Sequence, residues 1–340
     1  MGSHRRLAQS GFDRGACALS VLSVAAAALG AVSAVPATAA PHDGTRAEVD
    51  RLYEEAEKAT EAYNKADERS GALRRQLGDA QDRVARQQER VNDLREELGS
   101  LAGAQYRSGG LDPSLALLFS DDPEEYLAKA SVLDRITAHQ AGELRELQGA
   151  LRELHQERSE AGHRLAELEK SREAVADHKR TVERKLARAR QLLASLPSGE
   201  RAAYDRASRS GREDLPGLSG GAVPASGRAA AALAAVRSAL GKPYVWGANG
   251  PSGFDCSGLM QWSYAQAGVA LPRTSQAQAH AGRRVPLSQA RPGDIVTYRS
   301  DASHVGMYVG NGQVIHAPYP GAPVRYDPVG MMPVSSVTRP

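Results

Sequence analysis

The chain has 340 residues, 41% of them hydrophobic but only 5% aromatic, so one packed core is within reach and a core filling the whole length is not. A net charge of +3 conceals a division, because residues 41–227 sum to −5 and residues 228–340 to +6. That balance excludes a uniformly basic nucleic-acid binder and implies two regions of different character.

The N-terminus carries Arg5, Arg6 and Arg14, then the apolar run "ACALSVLSVAAAALGAVSAV" and the small-residue stretch "PATAAP". This is the three-part layout of a secretory signal over residues 1–39, with an A-x-A site at Ala37, Thr38 and Ala39. Nothing later in the chain is apolar enough to span a bilayer, so the expected product is secreted, extracellular or wall-associated, with no membrane span after cleavage. Cys17 leaves with the signal. Cys256 then has no disulfide partner, and a lone thiol outside the cytoplasm is either buried and inert or kept for its reactivity.

Residues 43–196 read as an all-α hairpin. From Val49 a 3-4 spacing runs through Leu52, Ala56, Ala59, Tyr63, Ala66, Ser70, Leu73, Leu77, Ala80 and Val84 to Leu101, with Ser70 and Gln87 as its polar breaks. Sustained heptads with charges between them predict a coiled-coil helix on the order of 80 Å long. "YRSGGLDPSLALLFSDDPEEY" interrupts the pattern, and a second seam from Ala130 to Leu193 follows, weakened at Arg158, Arg172 and Lys179. Two comparable seams joined by one turn favour antiparallel pairing, with an apolar tip "LALLF" that packs on the hairpin or meets a partner. Residues 197–227 are rich in Pro, Gly and Ser and read as a flexible linker.

Residues 228–340 change character again. "AAALAAVRSAL" predicts a helix closed by Gly241, and "CSGLMQWSYAQAG" one ended by Gly268; "GDIVTYR", "HVGMYVG" and "QVIHAP" predict strands, the last two joined at "GNG". Helices followed by an antiparallel sheet indicate an α+β domain. Asp255 is a good N-cap, which puts Cys256 at the head of its helix, where free N–H groups favour a thiolate. A cysteine nucleophile needs a base, and the base needs an orienting group; His304 and His316 can fill those roles. The same three residues could instead be a buried thiol with two half-exposed histidines, or hold zinc, although no C-x-x-C or H-x-x-x-H spacing accompanies them. The triad also makes a geometric demand. A plain two-residue turn at "NG" would pair His316 with Met307 and put the histidines on opposite faces, so the triad requires an odd-length loop or a bulge there.

Together "KPYVWGANGPSGFDCSGLMQWSYAQAG", "LPRTSQAQ", "RPGDIV" and "HVGMYVGNGQVIHAP" resemble, in order and at similar separations, the NlpC/P60 family of cell-wall cysteine peptidases. The resemblance covers about residues 229–334 and implies a papain-like domain that hydrolyses the stem peptide of peptidoglycan at the bond between γ-D-glutamate and a diamino acid, without a metal or other cofactor. It implies Cys256 as nucleophile, His304 as general base, His316 as orienting residue and Tyr244 as an oxyanion donor. Asp255, Ser257, Arg273 and Ser275 fall at its substrate-contacting positions. The hairpin in front of such a domain is similar to that of secreted actinobacterial wall hydrolases. Three roles for it stay open: docking to a membrane-complex activator, covering the active site in cis, or oligomerisation. An amidase of related fold acting on the sugar-peptide bond, and a non-catalytic wall-binding scaffold, are the alternative functions.

Overall fold

The computed structural model describes residues 41–107, 123–209 and 223–340. The secretory signal and the apolar tip expected from the sequence lie outside these residues. Helix α1 spans Pro41–Arg107 and α2 spans Pro123–Ser195, each roughly 100 Å long at 1.5 Å per residue. They run antiparallel. Ser171 donates to the Ala66 carbonyl, Arg83 pairs with Glu157 and Arg90 with Glu146, so partners move down one helix as they move up the other. Among the described residues no helix is long and apolar enough to cross a membrane.

The seam is buried where the spacing places it on α1, at Val49, Leu52, Ala56, Leu73, Ala80 and Val91; on α2 Leu154, Leu168, Val182 and Leu186 are buried as expected, together with Ala150 and Ala189, whereas Leu144, Leu151 and Leu165 of the expected seam are exposed. Of the polar breaks in the α1 seam, Gln87 is accommodated by donating to the Ala150 carbonyl and to Glu153, whereas Ser70 is buried with its hydroxyl unpaired. The hairpin begins eight residues before the first seam position. Part of the expected linker is also ordered, because Ser198–Arg209 forms a third helix, α3, whose Tyr204 hydroxyl donates to Asp50. Arg201 fastens its start by donating to the carbonyls of Ala194 and Leu196.

The C-terminal domain opens with α4 (Gly227–Ser238), capped by the Ser226 hydroxyl on Ala229 N–H. Next come α5 (Cys256–Ala265) and the short α6 (Ser275–Gln278). Six antiparallel strands follow, β1 (Arg283–Val285), β2 (Ile295–Tyr298), β3 (His304–Gly310), β4 (Gln313–His316), β5 (Arg325–Pro328) and β6 (Val334–Arg339), ordered β1-β6-β2-β3-β4-β5. The sequence predicts only β2, β3 and β4. The other three carry polar residues, "RRV", "RYDP" and "VSSVTR", and lack an apolar alternation.

One core layer packs α4 and α5 on the sheet through Leu233, Val236, Leu259, Met260, Val305 and Met307; on the opposite face Val296, Tyr298, Val314 and Val337 are packed against by Ala290, Val329, Met331 and Met332. Covering both faces explains why all four residues of β2 are buried. At the β3–β4 turn, Met307 pairs with Ile315 and Tyr308 with Val314, but Gly310 pairs with Gln313, so the register shifts by one. This is a two-residue turn plus a bulge, one of the two solutions the triad demands. Gly310, Asn311 and Gly312 all adopt positive φ to make it.

Candidate active site

Cys256 is the first residue of α5, and the Asp255 carboxylate caps the helix by accepting from Gly258 N–H at 2.6 Å. Glycine is required at 258: a Cβ there would collide with the Ala248 carbonyl and crowd Asp255. Close approach of the preceding loop to the helix head therefore fixes the cysteine's position. Asp255 is also held by Arg273, which donates to it at 2.5 and 3.0 Å and to the Ser257 hydroxyl at 3.0 Å. Tyr244 is buried, and its phenol lies close enough to Cys256 that a thiolate there would raise the phenol's pKa further, burial being the first cause of its upward shift.

The bulged turn puts both histidines on one face of the sheet. His304 Nε2 lies 2.7 Å from His316 Nδ1, and His316 Nε2 lies 2.7 Å from Asp327 Oδ2 on β5. Gly306, opposite His316, leaves the room: a Cβ there would sit 3.1 Å from that of His316. Asp327 is the residue that sequence reasoning missed. Its carboxylate also accepts from Arg325 Nε at 2.7 Å and is held below the usual carboxylate range, with His316 and Arg325 overcoming the upward pull of burial. The carboxylate can only accept, so His316 Nε2 carries the proton, His316 Nδ1 accepts, and His304 Nε2 donates. His304 Nδ1 is left facing the groove. Burial pushes His316 down to about 4, so it is neutral at pH 7.

The groove is not open. Glu61 of α1 accepts from the Ser257 hydroxyl at 2.6 Å and from Ser275 N–H at 2.8 Å, with the Cys256 Sγ 3.6 Å from the same carboxylate. One turn earlier, Glu57 lies 3.2 Å from His304 Nδ1 and accepts from Arg299 at 2.7 Å. One turn later, Asn64 donates to Asp255 at 3.1 Å. Around this polar stripe Tyr53 stacks on Tyr319 at 4.9 Å, and Tyr63 meets Trp246 edge-on at 5.2 Å. All the sequence-predicted site residues come together here, and each of Cys256, Ser257, Ser275, Asp255 and His304 is met by an α1 side chain.

Electrostatics follow from that cover. Burial, reinforced by Glu61, Asp255 and Glu57, holds the Cys256 thiol well above its ordinary value and therefore protonated. Burial next to Asp255 raises Glu61 to about 7. Burial also works to raise Glu57, but His304 and Arg299 reverse the shift and lower it. No group of three or more His, Cys, Asp or Glu side chains arranged to hold a metal occurs among the described residues.

Residues 241–337 match the model of the NlpC/P60 family. This segment belongs to that family. It is 50% identical over 105 residues to a probable endopeptidase of Mycobacterium tuberculosis, a match covering 31% of this chain and 27% of the relative. A probable endopeptidase of Corynebacterium glutamicum is 46% identical over 126 residues, 37% of this chain and 60% of the relative. Among solved structures, the P60 domain of an antigen from M. avium subspecies paratuberculosis is 38% identical, with 33% of this chain and 93% of that chain covered at a TM-score of 0.31. This chain thus spans about a quarter of the mycobacterial relative, and the likeness lies in the C-terminal domain.

Proposed function

We propose that the chain is a secreted peptidoglycan hydrolase, a cysteine D,L-endopeptidase that cleaves the γ-D-glutamyl–diamino acid bond of the stem peptide, and that its own hairpin keeps it latent. One observation carries this reading. Glu61 rests on Cys256 while Glu57, four residues earlier on the same helix, rests on His304, so thiol and imidazole line one groove within the span of a single helical turn.

With α1 withdrawn, the thiol regains access to the base. The Cys256 thiolate attacks the scissile carbonyl, its negative charge favoured by the N-terminus of α5. The backbone N–H of Cys256 and the Tyr244 hydroxyl take up the oxyanion, His304 protonates the leaving amine, and the same imidazole then activates water against the thioester. His316 fixes the His304 tautomer. In the closed chain Glu57, an acceptor, faces His304 Nδ1 favourably only when that nitrogen carries a proton, which takes the base out of use.

The test uses the full chain and a variant with Glu57→Arg and Glu61→Arg, which set cations against Arg299 and Arg273 and release the hairpin. Digestion of purified peptidoglycan by the released variant is expected to expose diamino-acid amino termini, read by mass spectrometry. Cys256→Ala or His304→Ala in that variant is expected to abolish the products while leaving the thermal unfolding midpoint in place. Full activity in either would sink the assignment, and products ending only at the lactyl–peptide bond would make the protein an amidase. Equal rates for the full chain and the released variant would remove latency from the reading.

A further inference from the structure

The acyl-side contacts fall at positions the family resemblance already implies, whereas Arg299 was singled out by no motif. It follows β2, whose last residue Tyr298 pairs with His304, and its backbone takes φ +65, a left-handed conformation uncommon for arginine. The neighbourhood is built to keep it there: its N–H donates to the Pro333 carbonyl at 2.8 Å and its guanidinium to the Ser303 hydroxyl at 3.2 Å. Strained backbone that the fold over-determines is characteristic of functional positions. The side chain projects into a cavity of about 470 Å³ that also touches His316, Tyr319, Asp327 and, from α1, Glu57. Its guanidinium is mostly buried, and its partners there are carboxylates of α1, Glu57 at 2.7 Å and Glu54 at 3.9 Å.

This cavity has a definite place in the reaction. The general acid must reach the leaving nitrogen, so the leaving group lies on the histidine side of the thiol. Withdrawal of α1 removes Glu54 and Glu57 and leaves Arg299 on that side, a fixed planar donor fork suited to a carboxylate. We propose that Arg299 is the leaving-group receptor of this peptidase, selecting a diamino acid whose side chain ends in a free carboxylate, and that Glu57 stands in for that carboxylate in the closed chain. This rests on the hydrolase reading above and names its substrate class: diaminopimelate-type stems rather than lysine-type or amidated ones.

The experiment measures kcat and KM of the released full chain, Glu57→Arg with Glu61→Arg, on three synthetic stem peptides. Their third residue is diaminopimelate, its side-chain amide, or lysine. A charged hydrogen-bonding anchor predicts a preference for the free carboxylate of about 10- to 100-fold, expressed in KM. Adding Arg299→Gln is expected to erase the preference, the KM values for the three peptides converging, and Arg299→Lys to keep part of it. Equal cleavage of all three peptides by the Arg299 enzyme, or a preference that survives Arg299→Gln, would overturn the inference while the hydrolase reading stands. No cleavage of any peptide by the Arg299 enzyme would overturn the hydrolase reading, and the inference with it.

Discussion

Asp327 has no substrate to touch in the proposed reaction, yet it decides which nitrogen of His304 is free. The chain of contacts runs from its carboxylate through His316 to His304, two steps of 2.7 Å each. Removing its charge therefore acts as a positioning defect with an electrostatic signature. In the released enzyme, Asp327→Asn is expected to lower kcat by about 10- to 100-fold, a fraction of what general acid–base catalysis supplies, with KM held. The pH profile of kcat should change as well, because Asp327 raises the pKa of the His316 imidazole against the pull of burial and that support is gone. An unchanged rate and profile would reduce Asp327 to a partner for Arg325. The cysteine and both histidines were legible in the sequence because each sits in a motif. Asp327 was not, since it lies on a strand with no apolar alternation, and its diagonal placement across from His316 exists only once β5 has paired with β4 in the observed register.

Helix α1 carries two stripes, and only one of them could be read from the sequence. The apolar seam announces itself by period. The second stripe, Tyr53, Glu57, Glu61 and Asn64, is just as buried, but polar residues on a helix ordinarily mark a solvated face, and nothing local distinguishes these from Glu54 or Glu68. Their burial is decided by a domain some two hundred residues away. The cost of that burial makes docking depend on pH. Glu61 titrates near 4.5 when free and at about 7 when docked, so the closed state binds the extra proton. Its contribution to closure is complete below about pH 4.5 and is lost as pH rises through 7. Glu57, shifted the other way, contributes above its free value and loses that contribution only in acid. Alkylation of Cys256, followed on its peptide by mass spectrometry, should consequently accelerate between pH 6 and 8 by more than the thiol chemistry of a free cysteine explains. Glu61→Gln should flatten the excess, and an excess that persists in that variant would assign it to another group.

At the scale of the whole molecule, the opposite signs of residues 41–227 and 228–340 suggest that long-range attraction holds the two together. The contacts argue otherwise. Lys58 and Asp301 form an ion pair across the interface with both side chains over 40% exposed, the kind whose net worth is about 0–1 kcal/mol. The pairs that meet at the site are of a different sort: the Glu57 side chain is 3% exposed and that of Arg299 18%, while Glu61 is buried against Ser257, Cys256 and a backbone N–H. Salt screens charges separated by water over about 10 Å at 0.1 M, but it reaches such buried contacts poorly, and the stacked Tyr53 and Tyr319 gain from salt if anything. Closure should therefore hardly respond to ionic strength. Raising sodium chloride from about 0.05 to about 0.5 M at fixed pH is expected to change the Cys256 alkylation rate of the full chain by less than about twofold. A steep rise would mean that surface attraction holds the hairpin. A flat response, combined with opening in the Glu57→Arg and Glu61→Arg chain, places the latch in the few buried side chains that fill the groove. What opens it must then compete for those side chains or pull on α1, and neutralising the surface will not suffice.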